Sequence, residues 1–327
     1  MGREYRGRSQ GNTQMTTTCR SFDQARYIGN CQGYPCLAAV SQNEVIVGDW
    51  SGNLVRVRLS PFAVMKTVFA AGRILGSTPV NNIFRSLSPA PDDPGRCAVA
   101  TSGAHAVVWD GESGTVRHVA PEAGPVHSVA WLGSGHLLLG TGDYSLGAGA
   151  EKWPEVWHLD GDEPSCVERV ALPGTCVDAI AVTEDGQRQI LAFSGLRSQD
   201  RGFVSVLNAA SLLPISVFDL PFAMAGRVEC TEELILVSNA GAVRAISRED
   251  GGEKWCHETV SESTDFAYDA DSHQLLISNC ELISAGRGRV VATWPVLDGC
   301  SCVRPRPEGG FVGVSKSGMI GVWDVEP

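Results

Sequence analysis

The stretch Cys97-Ala-Val-Ala-Thr-Ser-Gly103, followed by Ala106-Val-Val-Trp-Asp110, decides how this chain is read. A short apolar strand runs into a small-polar turn, and a second strand with alternating apolar residues follows. The pattern recurs. It stands at Glu44–Asp49 with Leu54–Arg58, at Leu137–Gly142 with Val156–Leu159, and at Ile190–Gly195 with Phe203–Leu207. It returns at Leu234–Asn239, at Leu275–Asn279, and at Phe311–Ser315 with Met319–Asp324. Anchored on Gly48, Ser102, Thr141, Ser194, Ser238, Ser278 and Ser315, the copies are 54, 39, 53, 44, 40 and 37 residues apart, with a mean of 44.5.

That spacing fits a four-stranded propeller blade of about 40–45 residues. Strand patterns flank each copy, as at Val126–Trp131 and Val177–Val182 before it, and Thr115–Val119 and Ile215–Phe218 after it. Turn signatures separate them: Asp92-Asp-Pro-Gly95, Glu184-Asp-Gly186 and Asp250-Gly-Gly252. Helical stripes of 10–15 residues are absent between strands, which removes βαβ architectures. The expected fold is all-β, a seven-bladed β-propeller over residues 19–327 that follows a flexible basic tail, residues 1–18, carrying Arg3, Arg6 and Arg8. The last unit has three strands, and the unassigned segment around Phe22–Ile28 supplies the missing outer one, so the N-terminal strand closes the propeller. In the sixth unit, Arg289–Trp294 fits either the third or the fourth strand.

With Trp109-Asp110 and Trp323-Asp324 ending apolar strands, and Trp157-His-Leu as a degenerate third, the sequence resembles the WD-repeat β-propeller family across nearly all of the chain after about residue 20. The family's Gly-His dipeptide occurs once, as Gly135-His136, ahead of a second strand rather than in its usual place, so the family's Asp–His–Ser–Trp relay is not readable. Asp250-Gly-Gly-Glu-Lys-Trp255 resembles the tryptophan-bearing turn of quinoprotein-type propellers. The resemblance implies that Trp109, Trp157 and Trp323 pack between adjacent blades.

The 327 residues carry 26 Lys+Arg against 37 Asp+Glu, a net charge of −11, which argues against a phosphate-coating surface and so against nucleic acid as the partner. The eleven cysteines form no CxxC, and neither an apolar leader nor a membrane-length apolar run occurs; a cytoplasmic, reducing location and no membrane association are expected. The seven histidines include neither HxH nor HExxH, and neither GxSxG nor GxxxxGK[ST] appears, so no catalytic, cofactor-binding or metal residue is assigned.

Function then falls to the loops. Three connections between second and third strands exceed a tight hairpin: Asp143–Pro154, Gly195–Gly202 and, where Arg289–Trp294 is the third strand of the sixth unit, Cys280–Gly288. The first two offer Tyr144, Lys152, Trp153, Arg197, Asp200 and Arg201, and aromatic and arginine side chains favour interfaces. The expected role is a non-catalytic scaffold gripping a protein or peptide partner within a complex. The alternative is an enzyme or small-ligand binder working through a central channel.

Overall fold

In the computed structural model, the described residues are 3–6, 8–9, 18–22, 36–48, 52–69, 84–93, 95–101, 105–119, 125–133, 135–142, 155–160, 166–183, 189–259, 264–294 and 300–324. Strands β1 (Arg3–Arg6), β2 (Arg8–Ser9) and β3 (Thr18–Phe22) come first. The first blade is β4 (Cys36–Ser41), β5 (Glu44–Gly48), β6 (Asn53–Leu59) and β7 (Phe62–Phe69). The second is β8 (Phe84–Pro89), β9 (Arg96–Thr101), β10 (Ala106–Asp110) and β11 (Val116–Val119). The third is β12 (Val126–Trp131), β13 (His136–Thr141), β14 (Glu155–Asp160) and β15 (Cys166–Ala171). The fourth is β16 (Cys176–Val182), β17 (Gln189–Leu196), β18 (Arg201–Asn208) and β19 (Pro214–Leu220). The fifth is β20 (Arg227–Cys230), β21 (Leu234–Asn239), β22 (Ala242–Ser247) and β23 (Glu253–Glu258). The sixth is β24 (Phe266–Asp269), β25 (Gln274–Ile277), β26 (Glu281–Ser284) and β27 (Val290–Thr293), and the seventh holds β28 (Cys300–Pro305), β29 (Phe311–Ser315) and β30 (Ile320–Asp324).

Each blade is a meander whose strands pair in sequence order, and the seven together make a seven-bladed β-propeller. The seventh blade takes β3 as its fourth strand, with Thr18 opposite Asp324 and Phe22 opposite Ile320. The closing strand therefore ends where the sequence reading began it. Residues 23–28 lie outside the described set. Within the segment expected as a flexible tail, β1 pairs with β3 (Arg3↔Ser21) and β2 with β27 (Arg8↔Thr293), widening the seventh and sixth sheets to five strands. An open sheet edge presents unpaired N–H and C=O groups, and backbone pairing needs no apolar side chains. In the sixth blade, Val290–Thr293 is the fourth strand. The third is Glu281–Ser284, so the expected long connection Cys280–Gly288 is a tight turn at Cys280 (φ 66°) followed by a strand.

Two compact units divide the chain: residues 1–70, 241–245 and 253–327, and residues 71–240 and 246–252. Within each, blades pack face to face. In the first unit, Leu37, Val45, Val57, Val312 and Ile320 join blades one and seven, while Trp294, Phe311 and Trp323 join six and seven. In the second, Ala98, Val129 and Trp157 join blades two and three, Leu138, Val156, Val177 and Ile190 join three and four, and Phe193, Val204, Val228 and Ile235 join four and five. Period two explains the inner strands. Ile190 and Ala192 face one core while Leu191 and Phe193 face the next, so a strand buried on both sides reads as a continuous apolar run. Trp157 and Trp323 lie between adjacent blades, as the resemblance implied, and Trp109 is fully buried.

One turn recurs between third and fourth strands. Asp110, Asn208, Ser247 and Ser284 each donate their backbone N–H to the carbonyl five residues on, at 2.9 Å in all four. In two of these turns the fifth residue is a glycine at positive φ that receives a ring from the preceding blade's outer strand. A Cβ on Gly251 (φ 71°) would sit 2.4 Å from the Phe218 ring, and one on Gly288 (φ 61°) 2.7 Å from Trp255. Trp255 also donates Nε1–H to the Ala285 carbonyl at 2.9 Å. In the fourth blade that place holds Leu212, also at positive φ (51°), and the outer-strand position aligned with Phe218 holds Val170. Bulk has moved from strand to turn, for Leu212 is buried in the core between blades three and four with Val170 packed against that core.

Leu212→Gly should remove that bulk and cost about 2–4 kcal/mol in urea unfolding, less the relief of backbone strain. Val170→Phe added to Leu212→Gly should recover about 1 kcal/mol or more by restoring the ring-on-glycine arrangement.

Candidate functional site

The ends of β13 and β17 are held together. Gly142 bridges Cys176, and Cys176 pairs with Gly195, so the connection leaving β13 and the β17–β18 hairpin start side by side. Thr175 fixes this corner by donating both N–H (2.7 Å) and Oγ1–H (3.0 Å) to the Gly195 carbonyl. His127 donates Nε2–H to the Gly142 carbonyl at 3.1 Å, which sets its tautomer.

The Gly195–Gly202 stretch is less of a loop than the sequence implied. Strand pairing runs on to Leu196↔Arg201, and the connection shrinks to a single 3-10 turn, Arg197–Gln199, and Asp200. Glycine at 195 answers a close approach, since a Cβ there would lie 1.9 Å from the Ala223 carbonyl oxygen. The crossing segment is anchored by Phe222, which stacks on Phe193 with centroids 5.7 Å apart. The hairpin is thus braced at its base and exposed at its tip, through Ser198, Gln199 and Asp200.

Of the six candidate residues, Tyr144, Lys152 and Trp153 lie outside the described residues. Arg197 opens the 3-10 turn, and Asp200 sits at φ 49°. Arg201 is half exposed and forms a two-pronged ion pair with Asp219, with its guanidinium 5.6 Å from the Phe203 ring centroid. The hydrogen bond that Arg201 donates to Asp219, and then the charge of Asp219, push the Arg201 pKa up. The structure brings Arg197, Asp200 and Arg201 onto one hairpin tip.

Among the described residues, no group of three His, Cys, Asp or Glu side chains is arranged to hold a metal, and no helix is long and apolar enough to cross a membrane. Cys97, Cys176, Cys280, Cys300 and Cys302 are buried, and burial pushes the Cys97 thiol far up.

The other end of the same strands carries a feature the sequence reading missed. A cavity of about 470 Å³ is lined by Leu132, His136, His158, Gln189, Ala210 and Ile215, with Asn208 and Ala209 beside them. His136 and His158 are diagonal neighbours on β13 and β14, because Leu138 pairs with His158, and their rings meet edge to face at 4.9 Å. Burial, and after it the charge of His136, holds the His158 imidazole below its ordinary pKa, with Glu168 opposite it on β15 pulling the other way. Twenty-two residues separate the two histidines, and only strand register brings them together.

Neither a family model nor a curated protein sequence matches the chain. Its fold is a seven-bladed β-propeller, on the evidence of blade order and closing strand. Among solved structures it is similar to the β-propeller domain of Myceliophteria thermophila Cps50 (Swd1). That likeness has a TM-score of 0.66 and 17% identity, and covers 90% of this chain and 96% of the other.

In an NMR titration, His136→Ala should raise the His158 pKa by removing a neighbouring positive charge, and Glu168→Gln should lower it further. Because the folded pKa is depressed, the His158 contribution to stability should grow as pH rises through the range just below the ordinary histidine value.

Proposed function

We propose that this chain is a non-catalytic propeller that serves as a protein-interaction scaffold, taking a protein or peptide partner at the end formed by the β13–β14 and β17–β18 connections. Tyr144, Lys152, Trp153, Arg197, Asp200 and Arg201 make the contact. The observation that carries this reading is the braced hairpin. Its tip is exposed while its base is fixed by the Phe222–Ala223 crossing, and Arg201 is already oriented by Asp219 and Phe203. Pre-oriented side chains lose little freedom on binding, which favours affinity. Eleven cysteines with no CxxC spacing fit a reducing compartment such as the cytoplasm, and the net charge of −11 fits a protein partner better than nucleic acid.

The test uses the full chain, tagged, for affinity capture from its native host. Trp153→Ala and Arg201→Ala should each strip the co-purifying proteins while the melting temperature stays unchanged. Capture that is the same for wild type and both variants would move the contact off this end of the molecule.

A further inference from the structure

The joints between blades are not closed alike. Between blades four and five, the Phe218 ring lies on Gly251; between five and six, Trp255 lies on Gly288. Between blades three and four, Leu212 and Val170 fill the core in place of a ring on a glycine. There the cavity opens, and the face of β19 that looks toward blade three is bare, with Ile215 55% and Val217 48% exposed and Leu213, just before the strand, 65% exposed. Phe218 and Leu220 point toward blade five, so Val217 and Asp219 point the other way; a β-bulge between Ser216 and Pro214 interrupts the alternation, and Ile215 is placed on the blade-three side by the cavity it lines. In its sheet β19 is also the terminal strand, paired only with β18 among the described residues.

We propose that the open edge of β19 takes an extended peptide segment of a partner protein as an added strand, with a glutamate or aspartate side chain of that segment seated in the cavity. Two sets of groups select this occupant. An unpaired edge beside the exposed Ile215 and Val217 suits an extended chain with alternating apolar residues, which gains main-chain hydrogen bonds along the strand and apolar burial on one face. The polar lining selects the acid. The Gln189 carbonyl oxygen is taken by Arg248 Nη2 at 2.8 Å, and the Asn208 carbonyl oxygen by the N–H groups of Ala210 (2.9 Å) and Ser211 (3.1 Å). Both amides therefore have their NH2 groups left to donate, and His158 adds an Nε2 that has no hydrogen-bond partner among the described residues. A lining of donors is completed by an acceptor, and a carboxylate accepts most strongly.

This surface lies at the Gln189↔Asn208 end of the β17–β18 pair, and the hairpin of the proposed scaffold contact at the Leu196↔Arg201 end, so the two can be tested apart. The probe is a set of fluorescein-labelled nonapeptides of alternating threonine and valine, each carrying one glutamate or one glutamine at successive positions, read by fluorescence polarisation against the full chain. One glutamate register should bind, at least about tenfold tighter than its glutamine counterpart, the worth of one good charge-assisted hydrogen bond. Gln189→Leu and His158→Leu should shrink that preference to about twofold or less, and Ile215→Lys should abolish binding, while Val217→Thr, a milder change that keeps the strand, should weaken it by several fold. Arg201→Ala should leave binding unchanged. Equal binding of the glutamate and glutamine peptides, no binding in any register, or full binding to Ile215→Lys with unchanged circular dichroism would overturn the proposal.

Discussion

A four-stranded meander of this size cannot stand alone, because its two faces are both apolar and each needs a neighbour. The inner strands make this plain. In Ile190–Phe193, alternate side chains enter two different cores, and neither core is complete without the adjoining sheet. Burial of a single large aliphatic side chain contributes about 1.5–3 kcal/mol, so a blade that lost its neighbour would expose several such groups and melt. Most of the other arrangements follow from the need to close these joints. Small buried residues such as Ser194, Ser238 and Ser315 end the second strands, rings dock on turn glycines, and Asp265 of one blade accepts from the Val303 N–H (3.0 Å) and Arg304 Nη1 (2.6 Å) of the next.

That dependence made the fold legible in the sequence. Joints that must be filled every blade leave a repeating trace, and the Trp-Asp endings at 109–110 and 323–324 mark where large side chains fill them. Where a joint is filled in another way, the trace fades. Leu212 holds a positive φ without glycine, and nothing nearby in the chain announces that its bulk substitutes for a ring on β15. The sixth blade was ambiguous because its strands are each four residues long and the sharp turn between β25 and β26 rests on Cys280, a residue with no turn signature. The first strands, Arg3–Arg6 and Arg8–Ser9, are polar and unpatterned; what recruits them is backbone, and backbone is the same in every sequence.

The candidate site divides in the same manner. Gly195 and Gly202 read as turn residues, which they are, but the carbonyl of Ala223 that forbids a side chain at 195 is a tertiary fact. Arg201 was visible as an interface type, whereas its Asp219 partner, eighteen residues away, follows from strand pairing. The histidine pair and the donor-lined cavity depend wholly on register across β13, β14, β17 and β18. A rigid framework built from joints leaves function to the places where a joint ends or is left incomplete, and both surfaces argued for here are of that kind.

The strand at residues 18–22 has its mates at 320–324, some three hundred positions along the chain. During biosynthesis the seventh sheet therefore stays unfinished until residues 320–324 have emerged from the ribosome, and residues 3–6 and 8–9 wait on the sixth and seventh blades as well. A topology with such distant pairing assembles slowly and shows exposed edges while it does so. For this protein, the interval between translation and the final pairing is the time when chaperones have most to do.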